Sequence, residues 1–121
     1  MTRGKVLIVE DEFLIRLTLR EALSDDGFEV AEAATGEEAL RVLPAYPDLA
    51  LLLTDIHLLG GMTGIEVARR VRTALADLPV IFTTGQPDDA PSIVASGRDV
   101  LIAKPYLPSD ICAAARRLTG R

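Results

Sequence analysis

Glu10 and Asp11 form an acidic pair, Asp55 stands alone 44 positions after Asp11, Thr84 follows 29 positions later, and Lys104 another 20 positions on. Carboxylates are the usual ligands of hard divalent cations and can also act as nucleophiles. A hydroxyl and an ammonium are partners for the oxygens of an anionic group. Each residue alone is ordinary, since a carboxylate after an apolar run is most often a solvated turn residue. Taken together they suit the chemistry of a phosphoryl group, provided that the chain brings them to one place.

Each of these residues closes an apolar run. KVLIV precedes Glu10, LALLLT precedes Asp55, VIFT leads into Thr84 and Gly85, and VLIA leads into Lys104 and Pro105. Strands are predicted over Lys5–Val9, Glu29–Ala33, Leu49–Thr54, Val80–Thr84 and Val100–Ala103. The first, third and fourth are nearly continuous in apolar residues, as strands covered on both faces should be. Between them, Ile15, Leu19, Ala22 and Leu23 recur at helical spacing, as do Ile65, Ala68, Val71 and Leu75. Thr35 with Glu38 reads as a capping box for a helix that stops before Pro44, and Pro108 suits the first turn of a last helix to about Leu118. Five strands alternating with five helices imply an α/β, doubly wound, five-stranded parallel sheet with helices on both faces, in one domain spanning residues 1–121. The segment Gln86–Ser96, with Pro87, Pro91 and paired aspartates, predicts only a short helix.

In such sheets a ligand lies beyond the carboxyl ends of the strands, at the switch point of the strand order. That is where the chemically active residues fall. Two carboxylates ~5 Å apart repel by roughly 3 kcal/mol at an effective dielectric of about 20, so three together need compensation. Mg²⁺ provides it, keeping open positions for waters and a substrate phosphate. Lys104 and Thr84 supply an ammonium and a hydroxyl to the phosphoryl oxygens. Glu10 and Asp11 are paired as ligands would be, which leaves the unpaired Asp55 as the phosphoryl acceptor.

This order of residues resembles the receiver domain of two-component response regulators, over essentially the whole chain from Lys5 to about Leu118. The family pattern is an acidic pair after strand one, an acceptor Asp after strand three, a Thr or Ser after strand four and a Lys–Pro after strand five. Here these are Glu10–Asp11, Asp55, Thr84 and Lys104–Pro105. The resemblance implies a flavodoxin-like (βα)₅ fold, Mg²⁺ (or Mn²⁺) as cofactor, and a sensor histidine kinase or phosphotransfer protein as phosphodonor. It implies that Asp11, Asp55 and the backbone carbonyl of His57 bind the metal, with Glu10, where Asp is commoner, acting through water. Gly85 would leave the phosphoryl site open to water and donor, and the Lys104–Pro105 bond becomes a candidate cis peptide. It also implies a protein that catalyses only its own phosphorylation and dephosphorylation, and that signals to a protein partner through the surface around strand four, helix four and strand five.

Three features depart from the family pattern. The loop HLLGGMTG has Leu59 where proline is common, and its Gly60–Gly61 pair adds one residue. Leu101 stands where many members carry an aromatic switch residue. FTTGQ resembles the F-x-T-G-x stretch of a single-domain subgroup that lacks that aromatic, so coupling is expected to run through Gln86–Ser96 instead.

The remaining features bound the alternatives. The chain has 121 residues and a formal charge of −5, which disfavours direct nucleic-acid binding. Arg69, Arg70, Arg72, Arg116, Arg117 and Arg121 fall late in expected helices, where cations suit the helix dipole. Nothing is apolar enough for a membrane span or a secretory leader. One cysteine, Cys112, reads as a packing residue, and a cytoplasmic location is expected. His57, the only histidine, is expected to expose its side chain. A phosphorylation-independent binding module and a receiver excised from a hybrid kinase or a longer regulator stay open as alternatives to a stand-alone switch. A phosphatase with a D-x-D motif does not fit DIH, and no G-x-G-x-x-G follows strand one.

Overall fold

Val6, Leu7, Ile8 and Val9 are each fully buried, so the first apolar run meets core on both of its faces. The same holds for the runs at residues 51–55 and 80–84. In the computed structural model, which describes residues 2–86 and 98–120, these runs are the three inner strands of a parallel sheet. In chain order the elements are β1 (Lys5–Val9), α1 (Phe13–Asp25), β2 (Glu29–Ala33), α2 (Gly36–Val42) with a 3₁₀ turn (Leu43–Ala45), β3 (Leu51–Asp55), α3 (Gly64–Ala74), β4 (Val80–Thr84), β5 (Asp99–Ala103) and α4 (Pro108–Thr119). The strand order is β2-β1-β3-β4-β5, all parallel, which is the doubly wound α/β arrangement expected.

Strand alternation divides the core in two. Val6, Ile8, Leu51, Leu53 and Ile81 face Leu19 and Leu23 of α1 and Ile111 and Ala115 of α4. Leu7, Leu52, Val80 and Phe82 face Ala39 of α2 and Val67 and Val71 of α3. Each fully buried Leu or Ile contributes about 1.5–3 kcal/mol, so both layers hold the sheet against its helices. Cys112 belongs to the first layer, with its thiol 3.5 Å from the Ala22 carbonyl, as a packing residue would be. Burial, then the nearby Asp26 charge, push that thiol's pKa up, away from thiolate chemistry.

Most helix boundaries follow from local signals. The Thr35 hydroxyl accepts the Glu38 N–H at 3.1 Å, and the helix gives way to a 3₁₀ turn at Pro44. The capping box is modified, however, because the Glu38 carboxylate accepts the N–H of Ala34 rather than that of Thr35. Thr63 caps α3 in the same way through the Glu66 N–H. The arginines are surface or structural cations: Arg69 and Arg70 pair with Glu66, and Arg72 reaches the Leu78 carbonyl and Asp99. Arg116 pairs with Asp26.

Three boundaries move. β3 begins at Leu51, not Leu49, because the Leu49 N–H is taken by the Tyr46 carbonyl in the preceding turn. β3 also keeps Asp55, whose backbone is in register with Thr83. β5 starts one residue early, at Asp99, which pairs with Val80. The short helix expected within Gln86–Ser96 lies outside the described residues, which omit 87–97. Among the described residues, no helix is long and apolar enough to cross a membrane.

Candidate metal and phosphoryl site

The order of strands reverses between β1 and β3, which places their carboxyl ends side by side at the switch point. Glu10 leaves β1 and Asp55 closes β3, so the two buried carboxylates meet where the sheet edge ends its hydrogen bonding. Arg16 of α1 fixes the first of these ends, donating to the Glu10 carbonyl at 2.8 Å while pairing with Glu32. Glu10, Asp11 and Asp55 each offer an oxygen within 4.8 Å of the others. Lys104, carried past the end of β5, places Nζ 2.7 Å from Asp55 Oδ2 and 3.8 Å from Glu10 Oε1. The four groups line or border an open cavity of about 420 Å³, whose wall also includes Glu12, His57, Leu59, Gly85 and Gln86.

Three carboxylates against one ammonium leave an excess of negative charge in a half-buried place. Glu10 is 2% exposed, and burial is the main reason that its pKa rises to about 7. Asp11 and Asp55 add to that rise, while the Glu12 N–H on Oε2 and the Lys104 charge oppose it. Burial would lower the Lys104 pKa, but the Asp55 hydrogen bond and the charges of Asp55, Glu10 and Glu12 outweigh it and hold the ammonium above its ordinary value. Nearby Tyr106, buried and facing the Glu10 and Asp55 charges, is pushed up to about 12 and stays a neutral phenol. An all-oxygen donor set with surplus charge and an open side fits a hard divalent cation.

The remaining expected residues are placed as follows. His57 is exposed; its backbone N–H donates to Asp55 Oδ1 at 3.1 Å. Gly85 lines the cavity, and among the described residues a Cβ there would meet nothing within 4 Å. The Lys104–Pro105 peptide is cis. Thr84 is buried at the end of β4, but its hydroxyl bonds the backbone of Gln86, donating to the carbonyl and accepting the N–H at 3.0 Å. Thr84 is thus beside the site with its hydroxyl engaged by the chain that follows. Leu101 packs from β5 against the α2–α3 side of the core.

Two residues of the site escaped sequence reading. Arg16 holds the Glu10 carbonyl, and Leu59 gives its N–H to Asp11 Oδ2 at 2.9 Å. Arg16 had only its position one turn into α1 as a signal; a backbone N–H has none.

The description of a response regulator receiver domain matches residues 6–116. The chain belongs to this family. Among curated relatives, the receiver is 36% identical to the aerobic respiration control protein ArcA of Escherichia coli K12 over 123 residues, covering all of this chain and 50% of ArcA. It is 40% identical to the transcriptional regulatory protein AfsQ1 of Streptomyces coelicolor over 103 residues, covering 83% of the chain and 44% of AfsQ1. The chain therefore spans about half the length of the curated relatives it matches. Among solved structures, the response regulator TrrA of Thermotoga maritima in complex with Mg²⁺ and BeF superimposes with a TM-score of 0.83 at 28% identity, covering 95% of this chain and 98% of that one. The receiver fold is flavodoxin-like.

Proposed function

We propose that this receiver is a phosphoryl-accepting signalling switch in which Asp55 is the acceptor. The observation that carries the reading is the 2.7 Å contact of Lys104 with Asp55 inside a cluster of three carboxylates, an arrangement suited to a group with anionic oxygens. Asp11, Asp55 and the His57 carbonyl would hold Mg²⁺, or Mn²⁺, with Glu10 acting through water, and the bound cation would supply charge neutralisation for the phosphoryl oxygens. An Asp55 carboxylate oxygen attacks the phosphorus of a phosphohistidine on a sensor kinase or phosphotransfer protein. The P–O bond forms as the P–N bond breaks, and the imidazole leaves with its electron pair and takes a proton from solvent. Lys104 then donates to a phosphoryl oxygen. Thr84 does the same once its hydroxyl leaves Gln86.

The opening at Gly85 admits the water that later cleaves the acyl phosphate, returning aspartate and inorganic phosphate. The chain in this reading catalyses only its own phosphorylation and dephosphorylation. The change at Thr84 passes to the surface around β4, β5 and the segment between them, where an output protein binds. Charge disfavours nucleic acid as a direct partner of this domain, and the composition suits the cytoplasm. Incubation with a radiolabelled acyl phosphate or phosphoramidate, with and without Mg²⁺, tests the reading. Base-labile label that needs Mg²⁺ and disappears in Asp55→Asn is the expected result. Label that persists in Asp55→Asn places the acceptor elsewhere.

A further inference from the structure

Asp11 has a partner that lies 48 residues further along the chain. Its Oδ2 accepts the backbone N–H of Leu59 at 2.9 Å. Leu59 sits in the turn between β3 and α3, and that turn is fixed at both ends. The His57 N–H donates to Asp55 Oδ1, and the Gly64 N–H donates to the Ile56 carbonyl at 2.8 Å. Gly64 itself admits no side chain, because a Cβ there would collide with the Asp55 carbonyl.

Between these anchors, Gly60 and Gly61 have φ of +96° and +90°, a left-handed pair that lets the chain double back toward α3. The Leu59 side chain is 73% exposed, so what the turn brings to the cavity is main chain. Proline at 59 would bring no donor, since it has no N–H. Leucine does.

We propose that the Leu59 N–H is a positioning group for the metal site: it occupies Asp11 Oδ2 and leaves Oδ1 for the cation. This rests on reading the acidic cluster as a Mg²⁺ site. A carboxylate held by a donor on one oxygen has already lost a rotational freedom that binding would otherwise remove. The Gly60–Gly61 turn therefore sets metal affinity from outside the ligand set.

The test uses Mg²⁺ alone, titrated by calorimetry into wild type, Leu59→Pro and Leu59→Ala. Leu59→Pro deletes the donor, and binding should weaken by about tenfold, the low end for losing an outer partner of a ligand. Leu59→Ala keeps the N–H and should bind as the wild type does. Equal affinity in all three, tighter binding by Leu59→Pro, or an equal loss in Leu59→Ala overturns the proposal. An independent measurement guards against misfolding of the proline variant: the Leu59 amide proton in metal-free Asp11→Ala. It should exchange faster there than in wild type, and an unchanged rate overturns the proposal. Failure of the wild type to bind Mg²⁺ at all defeats the metal reading itself, and so is distinct from failure of the Leu59 assignment.

Discussion

Lys104 meets both Asp55 and Glu10, so a single ammonium balances two buried carboxylates. Its replacement by Gln should lower the rate of Asp55 labelling by about 10²-fold, the usual loss when one charge-stabilising donor is removed. Rapid-quench labelling at saturating Mg²⁺ measures it. Glu10 supplies a second expectation at this scale. Its pKa is 4.5 in a flexible chain and about 7 in the fold, so between these values the folded protein keeps a proton that the unfolded chain has released. Without metal, stability is therefore fully present at low pH and falls as pH rises through the window, by up to about 3 kcal/mol. Urea unfolding in chelator at about pH 5 and about pH 8 should show this slope in wild type and its loss in Glu10→Gln.

Among the elements, β5 is fastened at its beginning. Arg72 of α3 spans to the Leu78 carbonyl and to Asp99, whose side chain is 5% exposed. Arg72→Ala leaves that carboxylate buried without its charge partner and should cost about 3 kcal/mol in denaturant unfolding. Pairing it with Asp99→Ala should recover part of the loss. Such long-range ties explain what could and could not be read from sequence. Lys5–Val9 and Val80–Thr84 are legible because apolar, β-branched runs end in charged or turn residues. The carboxylates and Lys104 are legible because they sit at those ends. The start of β3 is not, because it is decided by where the Leu49 N–H finds an acceptor. Nor is the start of β5, where Asp99 joins the ladder and pairs with Arg72, 27 residues earlier in the chain.

For the molecule as a whole, the acidic pocket sets stability against metal binding. Mg²⁺ at 100 times its dissociation constant should raise the unfolding free energy by about 2.7 kcal/mol through mass action. Asp11→Ala should reduce that gain; in the metal-free protein the loss of the Leu59 N–H partner offsets the relief of one of three crowded charges. Thermal melting with and without Mg²⁺ distinguishes the two effects, and an equal shift in both proteins would place the cation elsewhere. Neither core layer takes part in this balance, because both are closed by apolar contacts on the faces of the sheet.

The space beside Gly85 bears on duration. Among the described residues a methyl group there meets nothing within 4 Å, and the backbone has no need of glycine's left-handed freedom. Alanine at this position should therefore leave the melting temperature unchanged while narrowing the approach of water to a phosphorylated Asp55. The half-life of the phosphorylated state would lengthen with no cost to the fold. How long the protein remembers a stimulus and how firmly it holds together are then separate properties, adjustable one at a time.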